Sequence, residues 1–369
     1  MRTKINEIGS EYWLDSNITN ELLGSIVVPN WLQKTGKYVK LLLSGRTAID
    51  FILSDIKQNH PIRSVYMPSY CCDSMLDPFL KYNIKIQFYD VLYDPHLGIK
   101  MCIDENMCCD IVFILSYFGY TTNDSNIVKH FKEKGSIIIE DCTHSIFNNS
   151  SISKLAHYSF ASLRKWLGIL SGAIIYKHCN FYSGEIQSAP SYVSLKYNAM
   201  KLKSMYLNSE VNVDKKLFLS LFNQFNIQLS CDYSNYSIDS YSNYILNNTD
   251  ITSIKQQRRE NASFLHKNLL EIKCVSPIFK RLAVDICPLF VPVLVKDGFR
   301  DQLVSFLRTN QIYCPIHWPM SIHLNPNKAM SYLYNHELSL LCDQRYNLDH
   351  MNTILSILRD FDNKYFNLL

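Results

Sequence analysis

The sequence predicts an α/β protein: a large N-terminal domain built on a mixed, mostly parallel sheet, followed by a smaller C-terminal α/β domain. Three observations predict this. Short apolar runs alternate with longer, more polar stretches through the first half of the chain. Several of those runs, Ile111 to Leu115 among them, are apolar at every position, as in strands covered by helices on both faces. After about residue 250 the pattern changes, opening with a long helix.

Taken in order, Val39 to Leu43 reads as a strand, Ser44-Gly45 ends it, and Arg46 to Ile56 has helical periodicity. Val65-Tyr66-Met67 is a short strand stopped by Pro68. Further strands are expected at Ile84 to Phe88, Ile111 to Leu115, Ile137 to Ile139, His157 to Phe160 and Ala173 to Tyr176, with room between them for crossover helices. Helices are expected at Lys196 to Leu207 and Val213 to Phe225, then a loop-rich stretch, Leu229 to Asp250, around one short helix. A long helix follows from Ile254 to Leu270. Pro288 to Val295 reads as a strand whose two prolines suit an edge position or a late start. Arg300 to Arg308 is a helix and Ile312 to Ile316 a strand; Met351, Ile354, Leu355 and Leu358 give the closing helix its apolar face. The expected domains are residues 1–250 and 251–369.

Composition excludes several classes. With 369 residues, 47% of them hydrophobic, the chain can bury two cores. A formal net charge of +4, with no Lys/Arg block and no zinc-finger spacing, argues against nucleic acid. No apolar run is long enough to span a bilayer. The N-terminal MRTKINEIGSEYWLD has no apolar leader core, and the twelve cysteines, including Cys71-Cys72 and Cys108-Cys109, lack paired CxxC spacing. Free thiols in a reducing, cytoplasmic compartment are therefore expected, with no metal site.

Four segments carry the candidate chemistry. Ser44-Gly45-Arg46-Thr47-Ala48 is a strand-to-helix turn, where exposed amides at the helix start suit a phosphate; a plain turn has the same signature. Ile137-Ile138-Ile139-Glu140-Asp141-Cys142-Thr143-His144 puts an acid immediately after a buried strand, at the edge where open α/β sheets bind ligands. With pyridoxal 5'-phosphate (PLP), Asp141 would pair with the protonated ring nitrogen and His144 would lie near the ring or its phenolic oxygen. A strand-end cap and a hydrogen-bonded support are the plainer roles for the two. In His157 to Trp166, Lys165 can form an imine with an aldehyde cofactor and, once freed, move a proton. Ser159 or Ser162 could bond the cofactor phosphate. Pro315-Ile316-His317-Trp318-Pro319 suits a cleft wall or ordinary loop packing.

At these residues the sequence resembles the DegT/DnrJ/EryC1/StrS family of sugar aminotransferases, over most of its length. Ser44-Gly45-Arg46-Thr47-Ala48 resembles the family's SGTxAL turn, which implies phosphate contacts at Gly45, Arg46 and Thr47. Tyr66-Met67-Pro68-Ser69-Tyr70 resembles VPSxTF, whose side chain stacks on the cofactor ring; Tyr70 and Cys72 are both candidates. Glu140 to His144 resembles EDxAQ, with His144 at the glutamine position. Ser159-Phe160 followed by Lys165 is similar to SFxxxK with one extra residue, while Ser162 and Lys165 have the Ser-x-x-Lys spacing of other fold-type I enzymes. Either alignment implies Lys165 as the Schiff-base lysine. Relatives lacking this lysine are dehydratases. Arg258-Arg259-Glu260-Asn261 resembles an RRxN helix start, and Leu340 to Tyr346 followed by Met351 resembles the closing LPxD-RY segment. The NYRMS-like motif that reaches the phosphate and neighbouring subunit is not evident; Asp239-Ser240-Tyr241-Ser242-Asn243 falls in that region.

The resemblance implies a PLP-dependent fold-type I (aspartate aminotransferase-like) enzyme acting as a homodimer. Its implied reaction moves an amino group from an amino acid to a keto-sugar, nucleotide-linked, in surface-polysaccharide biosynthesis. His317 and Arg345 are candidate substrate contacts, Arg345 alternatively holding a structural carboxylate pair. The alternatives are another PLP reaction, such as dehydration or amination of a small carbonyl, and a non-catalytic protein that keeps the fold.

Overall fold

Eight strands form the central sheet of the computed structural model, which describes residues 7–14, 25–120, 124–149, 154–182, 184–209 and 213–366. In chain order the elements are β1 (Ile8–Gly9), β2 (Tyr38–Leu42), α1 (Gly45–Lys57), β3 (Ser64–Pro68), α2 (Asp73–Lys81), β4 (Lys85–Asp94), β5 (Gly98–Cys102), β6 (Ile111–Leu115), α3 (Ser125–Glu133), β7 (Ile137–Asp141), β8 (Tyr158–Ser162) and β9 (Ala173–Lys177). They continue as α4 (Val193–Leu207), α5 (Lys215–Cys231), α6 (Ser240–Asn247), α7 (Ile251–Asn268), β10 (Val275–Pro277), β11 (Val291–Val295), α8 (Arg300–Thr309), β12 (Ile312–Tyr313), α9 (Lys328–His336), β13 (Glu337–Leu340) and α10 (Leu348–Tyr365).

The large sheet has the order β2-β9-β8-β7-β6-β3-β4-β5. Strands β8, β7, β6, β3 and β4 run parallel; β9 and β5 run against their neighbours. Strands β6, β7 and β9 are buried at nearly every residue, as their unbroken apolar runs require. From β3 the chain winds one way to β4 and, after β6, the other way through β7 and β8. Open α/β sheets place ligands at such a reversal, beyond the carboxyl ends of the strands. Register brings Leu42 and Ser162 opposite Ala173, and Leu115 opposite Asp141, so β2, β6, β7 and β8 all finish at the edge where β9 begins.

A second, antiparallel sheet, β10-β11-β13, packs with α7, α8 and α10 around its own apolar cluster, which includes Leu265, Val293, Leu303, Leu340, Met351 and Leu358. The N-terminal β1 joins this part of the molecule by pairing with β12. Gly9 makes that possible: its φ is +96°, and a Cβ would collide with the Tyr313 carbonyl.

Several elements differ from the sequence expectation: β1, β10, α9 and β13 are additional, and α5 runs on to Cys231. Strand β4 continues to Asp94 and returns as β5, because its second half is a partly exposed antiparallel hairpin rather than a buried apolar run. Strand β11 starts late, at Val291, yet is central in its sheet. Pro292 is tolerated there because its missing N–H falls just past the β10 ladder, which ends at Pro277–Val293; Ile278 N–H still donates to the Pro292 carbonyl (3.0 Å). Strand β12 stops at Tyr313, before Pro315.

Candidate active site

Three strand-end turns build the site. Where β2 leads into α1, the Ser44 hydroxyl caps the helix by accepting from Thr47 N–H (3.1 Å). Gly45 lets the helix start approach β8: a Cβ there would stand 3.3 Å from Ser162 Cβ. The first amides of a helix have no partner within it, and a positive potential collects there.

After β7, Asp141 accepts from Thr143 N–H (2.7 Å) and is almost wholly buried. Burial pushes its carboxyl above the ordinary range; the Thr143 hydrogen bonds and the Lys165 charge oppose this. Phe118 N–H donates to His144 Nδ1 (3.0 Å), so the neutral ring carries its proton on Nε2. That nitrogen lies 3.5 Å from Lys165 Nζ. His144 is held well below its usual pKa by burial, then by Lys165 and His317.

After β8, a single helical turn, Leu163–Lys165, presents Lys165, with its amine 5.7 Å from the centre of the Trp318 ring. Thr143 ties the two turns together: its hydroxyl accepts from Ser162 N–H (3.0 Å) and its carbonyl from Trp166 Nε1–H (2.6 Å). Trp166 is in turn covered by the buried Arg258 guanidinium at 4.6 Å, which donates to Gln344 (2.8 Å) and Leu289 (3.0 Å). Asn261 donates to the Tyr346 carbonyl (2.8 Å). The RRxN and closing segments therefore brace the lysine turn from behind.

Gly45, Arg46, Cys72, Asp141, His144, Ser162 and Lys165 all line one cavity, closed on one side by Trp318. A larger adjoining cavity, about 540 Å³, shares Ser162, Arg164 and Lys165 and adds His317, Lys196, Arg308 and Arg345. Three sequence candidates lie outside both linings. Thr47 is buried against Ser44 (2.9 Å), Ser159 donates to Glu140 on the opposite sheet face (3.1 Å), and Tyr70 packs against Trp318 with ring centres 5.3 Å apart. Cys72 rather than Tyr70 thus borders the cavity, and Ser162 rather than Ser159. Arg46 pairs with Asp77 (2.7 Å). Arg345 chelates Asp343 (2.9 and 2.8 Å) and lies 4.0 Å over Tyr12, so its guanidinium is already engaged. Asp239 and Ser242 bind each other and the Leu170–Ser171 backbone rather than the cavity.

Sequence reading gave Arg164 no role in the site and missed Glu337, which holds His317. Glu337 accepts from His317 N–H (2.7 Å) and the Ser339 hydroxyl (2.5 Å) and is fully buried. Burial pushes its carboxyl up to about 8. In the unfolded chain the same carboxyl would lose its proton near pH ~4. Stability should therefore fall as pH rises between those values, because the folded state keeps the proton longer. We expect Glu337→Gln to match the parent near pH ~4 and exceed it by about 2–4 kcal/mol near pH ~8 in denaturant unfolding. Parallel stability–pH curves for the two proteins would refute this.

The donor set fits PLP. A lysine amine and a buried carboxylate share one cavity, the Gly45 turn leaves room beside Ser162, and a buried Arg164 Nε has no partner among the described residues. Among the described residues no three His, Cys, Asp or Glu side chains could hold a metal ion, and no helix is long and apolar enough to cross a membrane.

The fold is that of the fold-type I PLP-dependent aminotransferases: a mixed, mostly parallel sheet with flanking helices and a separate C-terminal α/β region. Three solved structures illustrate the likeness. A DegT DnrJ EryC1 StrS aminotransferase from Brucella abortus is 16% identical, covering 88% of this chain and 86% of its own, with a TM-score of 0.57. Helicobacter pylori PseC, an aminotransferase involved in the biosynthesis of pseudoaminic acid, is 13% identical over 89% and 87%, with a TM-score of 0.63. S. venezuelae DesV is 14% identical over 88% and 84%, with a TM-score of 0.59. No family model matches the sequence, and no curated protein matches it significantly.

Proposed function

We propose that this chain is a PLP-dependent aminotransferase of the DegT/DnrJ/EryC1/StrS family. It transfers an amino group from an amino acid to a keto-sugar, nucleotide-linked, in cytoplasmic surface-polysaccharide biosynthesis. Residues 1–250 form its cofactor-binding domain and 251–369 its smaller domain, and two copies assemble as a homodimer. The carrying observation is that Lys165 and Asp141 face one cavity beneath the start of α1. The shared fold with the DegT DnrJ EryC1 StrS aminotransferase and with PseC supports the reading.

When bound, PLP supplies an aldehyde and an electron-withdrawing ring. Asp141 holds the ring-nitrogen end by charge, and its burial strengthens that attraction. Lys165 attaches the cofactor and then carries the proton to and from the substrate carbon. His144, neutral and fixed by Phe118, presents Nε2–H toward the same centre. Gly45 and Ser162 would hold the phosphate end, Cys72 would border the ring, and Trp318 would limit water access. The donor leaves as an oxo acid, and the acceptor carbonyl becomes an amine.

Separate half-reactions test this. Glutamate or another amino donor, added to the cofactor-loaded protein without acceptor, should convert the bound cofactor to its amine form, seen as loss of the visible absorbance band. A loaded protein whose spectrum no donor changes is not an aminotransferase.

A further inference from the structure

Arg164 immediately precedes the proposed cofactor lysine and lines both cavities. Its Nε is buried with no hydrogen-bond partner, and no carboxylate pairs with its guanidinium among the described residues. The nearest aromatic face is Phe225, at 5.9 Å. A half-buried guanidinium whose buried Nε lacks a hydrogen-bond partner is costly, and five donors in a planar fork match a phosphate. Two other cations nearby are committed: Arg46 to Asp77 (2.7 Å), and Lys196 to the Ile169 carbonyl (2.9 Å). The segment Asp239 to Asn243, which the family resemblance would bring to a phosphate, instead caps α6 and holds the Leu170–Ser171 backbone.

Arg164, the start of α1 and Ser162 border the same cavity. Its lining combines a thirteen-residue helix's free amides, a hydroxyl and an unpaired cation. We propose that Arg164 is the phosphate-binding cation of the cofactor site, gripping a phosphate monoester from the same chain and turn that supply Lys165. This rests on the PLP reading above. It also makes phosphate anchoring internal to one subunit. Because both residues belong to one helical turn, gripping the phosphate sets the distance from the aldehyde to Lys165.

The test compares two ligands that share the aldehyde and differ only in the phosphate. PLP and pyridoxal are titrated against the full-length parent, Arg164→Gln and Arg164→Lys by absorbance, with far-UV circular dichroism to verify folding. The parent should prefer PLP. Arg164→Gln should lose about 10- to 100-fold in PLP affinity with pyridoxal affinity unchanged, and Arg164→Lys should recover part of the loss. Unchanged PLP binding in Arg164→Gln overturns the proposal, and so does equal weakening of both ligands, which marks a structural arginine. If Arg164→Gln fails to fold, Arg164→Lys decides: the proposal requires a loss confined to PLP, because the planar fork is gone. A parent that binds neither ligand overturns the PLP reading as well, whereas a parent that binds both equally overturns only the role of Arg164.

Discussion

Lys165→Ala should abolish covalent capture of PLP and reduce amino transfer by about 10³-fold or more, since it removes both the attachment point and the proton carrier. Borohydride reduction of the loaded parent should place the cofactor's mass on the peptide containing residue 165, and the variant should gain none. Lys196 makes this a demanding test. It is buried, its amine is lowered to about 7 by desolvation and then by Arg164, and it lines the adjoining cavity. By amine chemistry alone it is a competing nucleophile. It does not line the cavity that holds Asp141, and its Nζ donates to the Ile169 carbonyl at 2.9 Å. Label on Lys196, with none on Lys165, would relocate the chemical centre.

Asp141→Asn should separate stability from function. The buried Asp141 carboxylate has no cation within ion-pair distance among the described residues, and burial raises its pKa. A carboxyl whose folded pKa is raised contributes most below its unfolded value and loses that contribution as pH rises through the folded one. Asparagine keeps an oxygen for the Thr143 N–H bond and carries no charge. The ligand-free variant should therefore equal the parent at low pH and exceed it by about 1–3 kcal/mol at neutral pH. Its PLP affinity and turnover should fall by about 100-fold or more, because the ring nitrogen loses its counter-charge. Denaturant unfolding without ligand and absorbance titration with PLP read the two effects. A variant less stable at neutral pH and unaltered in PLP binding would show that Asp141 is a strand-end cap.

The two effects oppose each other because a site built for a cation is strained while that cation is absent. Glu337 shows the same tension behind His317, where a buried carboxyl holds a loop instead of a ligand. Both carboxyls lower stability as pH rises, so the ligand-free protein should be less stable at alkaline pH than its small net charge suggests.

Much of the sheet was legible because Ile111–Leu115 and Ala173–Lys177 are buried on both faces and so are apolar without interruption. The β4–β5 hairpin was not, since its second half alternates in burial and its partner strand lies antiparallel at the sheet edge. The start of α7 was read late, at Ile254 rather than Ile251, although its cap is local: the Asp250 carboxylate accepts from Thr252 and Ser253.

For the site, the sequence by itself determined the turns after β2, β7 and β8 and the residues they carry: Gly45, Asp141, His144 and Lys165. Each follows directly on an apolar run, and short-range backbone geometry decides that it lies at a strand end. Tertiary structure alone decided which side chains turn inward. Along β8, Phe160 and Ser162 face the cavity while Ser159 faces Glu140, because successive strand residues point to opposite sides. Arg164, Trp318 and Glu337 gained their places only when segments more than a hundred residues apart packed together and removed water. Burial without a partner is a property of that packing and leaves no pattern in the order of residues.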